Sequence, residues 1–215
     1  MTGDKVVSRG EWLIARKALR AREKELTRLR DEVSAERRAL PRVKVEKEYV
    51  FETPDGKKTL ADLCDGRSQL IVYHFMFDPD DEEGCPYCSF LADHIDGANL
   101  HLAHHDVTLL VVSRAPIQKI KPFKKRMGWQ FTWVSSYESD FNYDYHVSPT
   151  KDDLSRGKVF YDYDMRDLPG GEMPGTSVFY KDENGDIFHT YSAYARGGEP
   201  LLGAYSSAGL KGPRY

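Results

Sequence analysis

The first regular pattern in the chain is a heptad: Trp12, Leu19, Leu26, Val33 and Leu40 lie seven apart, and Ala15 and Leu29 fall on the same stripe. Such spacing predicts one amphipathic helix. Ser8-Arg9-Gly10-Glu11 has capping-box spacing, so the helix should start at Ser8, and Pro41 should end it. A helix of that length spans about 45 Å, more than the width of a small domain. Part of its stripe therefore needs another partner, and we expect the helix to pack across the domain or against a second copy in a homodimer. Its ten basic and six acidic residues between positions 9 and 40 are interleaved, as on a solvated face laced with i,i+4 ion pairs.

After Pro41 the pattern changes. Tyr49-Val50-Phe51, a Pro54-Asp55-Gly56 turn and Thr59 to Leu63 predict a short strand, a turn and a small helical segment. Leu70 to Phe77 is almost continuously apolar, as in a strand buried on both faces, and Val107 to Ser113 repeats the pattern. The segment between them can be helical up to about His105, which makes a βαβ unit. A further helix is expected from Pro116 to Met127, interrupted by Pro122, then a strand at Phe131 to Val134. Thr176 to Lys181 and Asp186 to Tyr191 flank Asp182-Glu183-Asn184-Gly185 and read as a hairpin. The aromatic stretch from Ser136 to Gly171 gives no clear period. The fold class is thus α/β, a central mixed sheet flanked by helices. We divide the chain into an N-terminal helical arm at 1–42, a domain at 43–200 and a tail at 201–215.

The 215 residues suffice for one ordinary domain plus an appendage. A formal net charge of −3 provides no field for nucleic acid or an anionic membrane surface. The longest apolar run is too short to cross a bilayer, and the N-terminus lacks a secretory h-region. We expect a cytoplasmic protein with no nucleic-acid or membrane partner.

Three cysteines, Cys64, Cys85 and Cys88, are too few for a disulfide framework. Cys85-Pro86-Tyr87-Cys88 directly follows a buried strand and opens a helix. In that position the free N–H groups and the helix dipole favour a thiolate, so Cys85 should attack and Cys88, one turn in, should resolve. Pro86 suits an early helical position, and Tyr87 should contact a substrate. The acidic run Asp80 to Glu83 should raise the thiol pKa unless Arg114 or Arg196 approaches. Arg196 could instead form a surface ion pair. Pro174, just ahead of the hairpin, could line the sulfur site as a cis proline, against an ordinary trans turn. Cys64 reads as a small buried apolar residue, with a second resolving thiol as the alternative.

Two metal readings compete. Cys85, Cys88, His101 and His105 have the spacing of a Cys2His2 finger, yet Ala92 and Ala98 stand where such a finger packs its core, and Asp93 and Asp96 would repel phosphate. A structural zinc held by the cysteines with His94 or another distant ligand is the other. We expect no metal and no cofactor beyond the cysteine pair. No Ser-His-Asp signature, P-loop or dinucleotide fingerprint is present.

Taken together, Ser8-Arg-Gly-Glu-Trp, Val43-Lys-Val-Glu-Lys, Tyr73-His-Phe-Met-Phe, Gly84-Cys-Pro-Tyr-Cys-Ser-Phe, Val112-Ser-Arg-Ala-Pro and Phe141-Asn-Tyr-Asp resemble a large bacterial family of uncharacterised thioredoxin-like proteins, labelled predicted dithiol-disulfide oxidoreductases. The resemblance covers nearly the whole chain, within the thioredoxin and peroxiredoxin-like superfamily. It implies a thioredoxin-like fold and thiol–disulfide exchange at Cys85 and Cys88 on a protein or small-molecule disulfide. Thioredoxin reductase or glutathione would return the electrons. A thiol peroxidase is the alternative, although Glu82 stands where peroxiredoxins place Thr or Ser three residues before the reactive cysteine. A non-catalytic thioredoxin-fold binding module is the alternative from another class.

Overall fold

A computed structural model of the chain describes residues 5–167 and 170–202. Helix α1 runs from Arg9 to Ala39, and its capping box is closed in both directions, between Ser8 and Glu11. Leu40 ends it ahead of Pro41, and none of its residues is buried. It forms one unit up to Pro41, and the body from Arg42 forms the other.

The body opens with strands β1 (Val43–Lys44), β2 (Val50–Thr53) and β3 (Gly56–Thr59), then a 3-10 turn at Asp62–Cys64. Gly56 closes the β2–β3 hairpin with a φ of +113°, a conformation that favours glycine. Strand β4 (Gln69–His74), helix α2 (Pro86–Ile95), the short helix α3 (Asn99–Ala103) and strand β5 (Val107–Ser113) make the βαβ unit. Helix α4 (Ile117–Met127) leads to β6 (Thr132–Ser135). Pro122 does not interrupt α4 as expected. It lies on the exposed side, where the carbonyl left without an N–H partner can turn to water.

The stretch without a readable period forms α5 (Phe141–Asp144), α6 (Lys151–Arg156) and a separate hairpin, β7 (Lys158–Tyr161) with β8 (Asp164–Asp167). The C-terminal hairpin is β9 (Gly175–Lys181) and β10 (Ile187–Tyr194), followed by a 3-10 segment at Ala195–Leu201. Leu202 is buried in the core. The rest of the expected tail, from 203 on, lies outside the described residues.

The eight-stranded sheet has the order β1-β10-β9-β4-β5-β6-β2-β3. Strands β4, β5 and β6 are parallel, and β9 runs antiparallel to β4. A parallel βαβ unit flanked by a C-terminal hairpin on the β4 side is the thioredoxin-like arrangement, here widened by β6, β2 and β3. The continuous apolar run of β4 has the expected cause: its two faces enter two cores. Tyr73 and Phe75 pack with α2, α4, Trp129 and Trp133. Leu70 and Val72 pack on the other side with Phe51, Phe141 and Phe179. Burying both faces of one strand fixes its register, since a slip by one residue would exchange the two sets.

Candidate active site

β4 ends at His74, and the chain continues through Phe75, Met76 and Phe77 into the acidic loop before turning into α2. Two contacts set this turn. Gly84 passes so close to Phe75 that a Cβ there would lie 2.6 Å from the ring. The Cys85 N–H donates to the Met76 carbonyl at 3.1 Å. Cys85 is therefore the N-cap of α2, with extended backbone, and Pro86 occupies the first helical position, where its missing N–H costs nothing.

The two sulfurs are unequal. Cys85 is half-buried, while Cys88 is 1% exposed. The Cys88 thiol donates to the Cys85 sulfur, the N–H groups of Cys88 and Tyr87 point at it, and together they pull the Cys85 pKa down to about 6 against burial and the Asp81 charge. Donation to Cys85 and burial push Cys88 well above the ordinary thiol range. The Met76 N–H donates to the Cys88 sulfur at 3.4 Å, and Tyr73, lining the same pocket, works against the rise.

The acidic loop is met by two cations from α4, which the sequence did not show. Arg126 pairs with Glu83 at 2.5 Å. Lys119 donates to the carbonyls of Pro79 and Asp81, bringing its ammonium into the loop. Arg114 does not approach the thiolate; it pairs with Asp78 and with buried Glu172 at 2.8 Å. Nor does Arg196 bring its charge to the sulfur. Its side chain is 87% exposed and forms a two-point ion pair with Glu199.

A mostly apolar pocket of about 200 Å³ opens beside Cys88, lined by Tyr73, Met76, Tyr87, Leu91, Pro174 and Arg196 among others. Tyr87 is 79% exposed at its rim. Among the described residues no peptide bond is cis, so Pro174 is the ordinary trans proline and not the cis form, although it does line the pocket. Gly175, next to it, meets Tyr194 and Val147 so closely that a Cβ would lie 2.9 Å from the Tyr194 ring. The structure thus brings together Cys85, Cys88, Pro86, Tyr87 and Pro174, with Arg196 at the edge. Cys64 lies in the core on the opposite face of the sheet, which removes it as a second resolving thiol. Its thiol points at the Leu60 carbonyl, and burial raises its pKa.

Two residues were missed. Tyr73 lies on β4, where a strand position signals packing alone. Tyr161 holds the Pro174 carbonyl from the aromatic stretch that gave no period.

The metal readings find no ligand set. Among the described residues no group of three or more His, Cys, Asp or Glu could hold a metal ion. His94 turns its Nδ1 to the Phe90 carbonyl of its own helix, and the cysteines sit at a helix start rather than on the hairpin a finger requires.

A family model described as "Bacterial protein of unknown function (DUF899)" matches residues 1–210. The chain belongs to that family. No curated protein matches this DUF899 chain. Among solved structures, peroxiredoxin Q of Xanthomonas campestris is similar at 14% identity and a TM-score of 0.49, covering 74% of this chain and 89% of that one. Peroxidoxin BcpB of Mycobacterium tuberculosis is similar at 13% identity and a TM-score of 0.49, over 78% and 97% of the two chains. A peroxiredoxin-like protein of Aquifex aeolicus is 16% identical, with a TM-score of 0.46 over 73% and 81%. No helix of the DUF899 chain, among the described residues, is long and apolar enough to cross a membrane.

Proposed function

We propose that this chain is a thiol–disulfide oxidoreductase in which Cys85 attacks and Cys88 resolves. The inequality of the two sulfurs carries the reading: one is reachable and ionised near neutrality, the other is buried and protonated. A thiolate is the nucleophile in exchange, and an attacking thiol with a pKa close to ambient pH combines ionisation with reactivity.

In the proposed cycle the Cys85 thiolate attacks one sulfur of a substrate disulfide. The substrate S–S bond breaks, and one half leaves as a thiol after taking a proton. Cys88 then attacks Cys85, the second half leaves, and the pair is left as a disulfide. The substrate has gained two electrons, and a dithiol reductase or glutathione returns them to the pair. Tyr87 at the rim and the apolar pocket beside it give a protein or small-molecule disulfide a surface to lie on.

The proposal extends to the organisation of the chain: residues 43–200 as the catalytic domain in a cytoplasmic, reducing setting, and the arm as the contact with a second copy. In α1, Trp12, Leu19, Leu26 and Leu29 are each more than two-fifths exposed, a stripe that a second helix would cover. Sedimentation at twice the 24.6 kDa chain mass is the expected result; a monomer at every concentration removes the dimer.

Thiol labelling in graded glutathione buffers, with zinc assayed on the same sample, tests the reading. One two-electron transition that disappears in Cys85→Ser, together with trapped mixed disulfides in Cys88→Ser, is expected. Thiols that never pair, or stoichiometric zinc, sink it in favour of a binding module. Sulfenic acid forming at Cys85 with peroxide faster than exchange with disulfides replaces it with a peroxidase.

A further inference from the structure

The resolving step poses a problem of its own. Cys88 has to act as a thiolate, yet it is buried. In the reduced pair it leans on the Cys85 thiolate, but once Cys85 is joined to substrate that negative charge is gone. One donor reaches the Cys88 sulfur, the Met76 N–H at 3.4 Å, and the Tyr73 phenol, packed in the same buried cluster and lining the same pocket, acts to favour the thiolate. Tyr73 is itself buried and lines the pocket beside Cys88.

The other polar groups nearby are engaged. Arg196 and Glu199, on the pocket wall, pair with each other. Asp81 acts on Cys85. Tyr161, the second phenol facing Tyr73, donates to the Pro174 carbonyl and accepts from the Ala195 N–H.

We infer that Tyr73 is a catalytic residue of the resolving step, its hydroxyl and the Met76 N–H forming a two-donor cradle for the Cys88 thiolate. The inference rests on the redox reading above. Burial keeps the phenol far above its ordinary pKa, so Tyr73 holds its proton and acts as a donor rather than a base. In the step, the Cys88 sulfur bonds to the Cys85 sulfur, and the bond from Cys85 to the substrate sulfur breaks. The Cys88 proton ends on the departing substrate sulfur, which leaves as a thiol. The two cysteines lose the two electrons that the substrate disulfide gains. Fixed donors aimed at developing charge in a dry site need no reorganisation when the charge arrives, which is why two weak donors suffice.

Single turnover of the full-length chain with 5,5′-dithiobis(2-nitrobenzoate), in a Cys64→Ala background, separates the steps. The first thionitrobenzoate is released when Cys85 attacks and the second when Cys88 resolves. In Tyr73→Phe the first phase should stay within about twofold of the parent. The second should slow about tenfold, the loss of one hydrogen bond to a charged group, and its pH midpoint should rise. A second phase with unchanged rate and midpoint overturns the inference. Should Tyr73→Phe fail to fold, 3,5-difluorotyrosine placed at position 73, a stronger donor of the same outline, is expected to speed the second phase, and no change there overturns it as well. Failure of the redox reading looks different: the parent then releases one equivalent and forms no internal disulfide.

Discussion

The Tyr161 hydroxyl donates to the Pro174 carbonyl at 2.6 Å. A residue of the small β7–β8 hairpin thereby fixes the loop that forms one wall of the pocket beside Cys88. The same oxygen accepts the N–H of Ala195, another lining residue of the pocket, at 2.9 Å. Removing it in Tyr161→Phe strands a carbonyl and an N–H together. We expect a loss of about 1–3 kcal/mol in urea unfolding, with the aromatic packing against Tyr194 retained. An unchanged midpoint would show that water replaces the hydroxyl at no cost.

Cys85 should titrate low, and chiefly because of Cys88. The rate of alkylation by iodoacetamide is expected to rise with a midpoint near pH 6. Cys88→Ala removes the first cause of the depression, the thiol donor, and the midpoint should move up toward the ordinary thiol range. A midpoint that does not move would assign the effect to the helix start alone.

His74 makes the body sensitive to acid. It is buried, hydrogen-bonded through Nε2 to Ser177 at 2.9 Å, and burial pushes its pKa down to about 3. Unfolded, it binds a proton near pH 6.5, so between these values the unfolded chain carries more protons and stability falls as pH falls. From pH 7 to pH 5 the loss is about 2 kcal/mol from this residue. Half-buried His189, also lowered by burial, adds to it. Urea midpoints at pH 7, 6 and 5 measure the slope, and His74→Gln should flatten it.

Arg114 and Glu172 form an ion pair whose carboxylate is 4% exposed, with Ser148 donating to its other oxygen. Glu172→Gln leaves a guanidinium underpaired, and Arg114→Met leaves a buried carboxylate. Each is expected to cost about 3 kcal/mol, whereas Arg114→Met combined with Glu172→Leu should recover most of the loss. Additive losses in the double variant would mean that the two groups do not act as a pair.

The long helix, the strands and the cysteine pair were legible because each rests on local order: a capping box, an apolar run, a proline at a helix start. The β7–β8 hairpin was not, and its turn gives the reason. Tyr161 pairs with Asp164, leaving the two-residue loop Asp162–Tyr163 with φ of 55° and 64°. Such a turn is normally marked by Asn-Gly or Gly. Here the strain of a left-handed tyrosine is offset from outside the hairpin, by the Tyr163 hydroxyl bond to the Ser192 carbonyl at 2.9 Å and the ring contact with Tyr194. Signals made by distant partners leave no trace in a local pattern. The same applies to the cations that calm the acidic loop, since Lys119 and Arg126 reach it from α4. Tyr73 escaped because a strand position implies packing and says nothing of where its hydroxyl lands.

His74 is paired with Gly175 across the antiparallel ladder between β4 and β9. Two walls of the pocket, at Met76 and at Pro174, therefore grow from neighbouring strands joined by backbone hydrogen bonds. They move as one piece, because spreading them would tear the sheet. The segment Ala195–Leu201 on the far side buries none of its own side chains, and local opening is cheapest where burial is least. The pocket is thus stiff on the side built into the sheet, and its least buried side is where opening costs least.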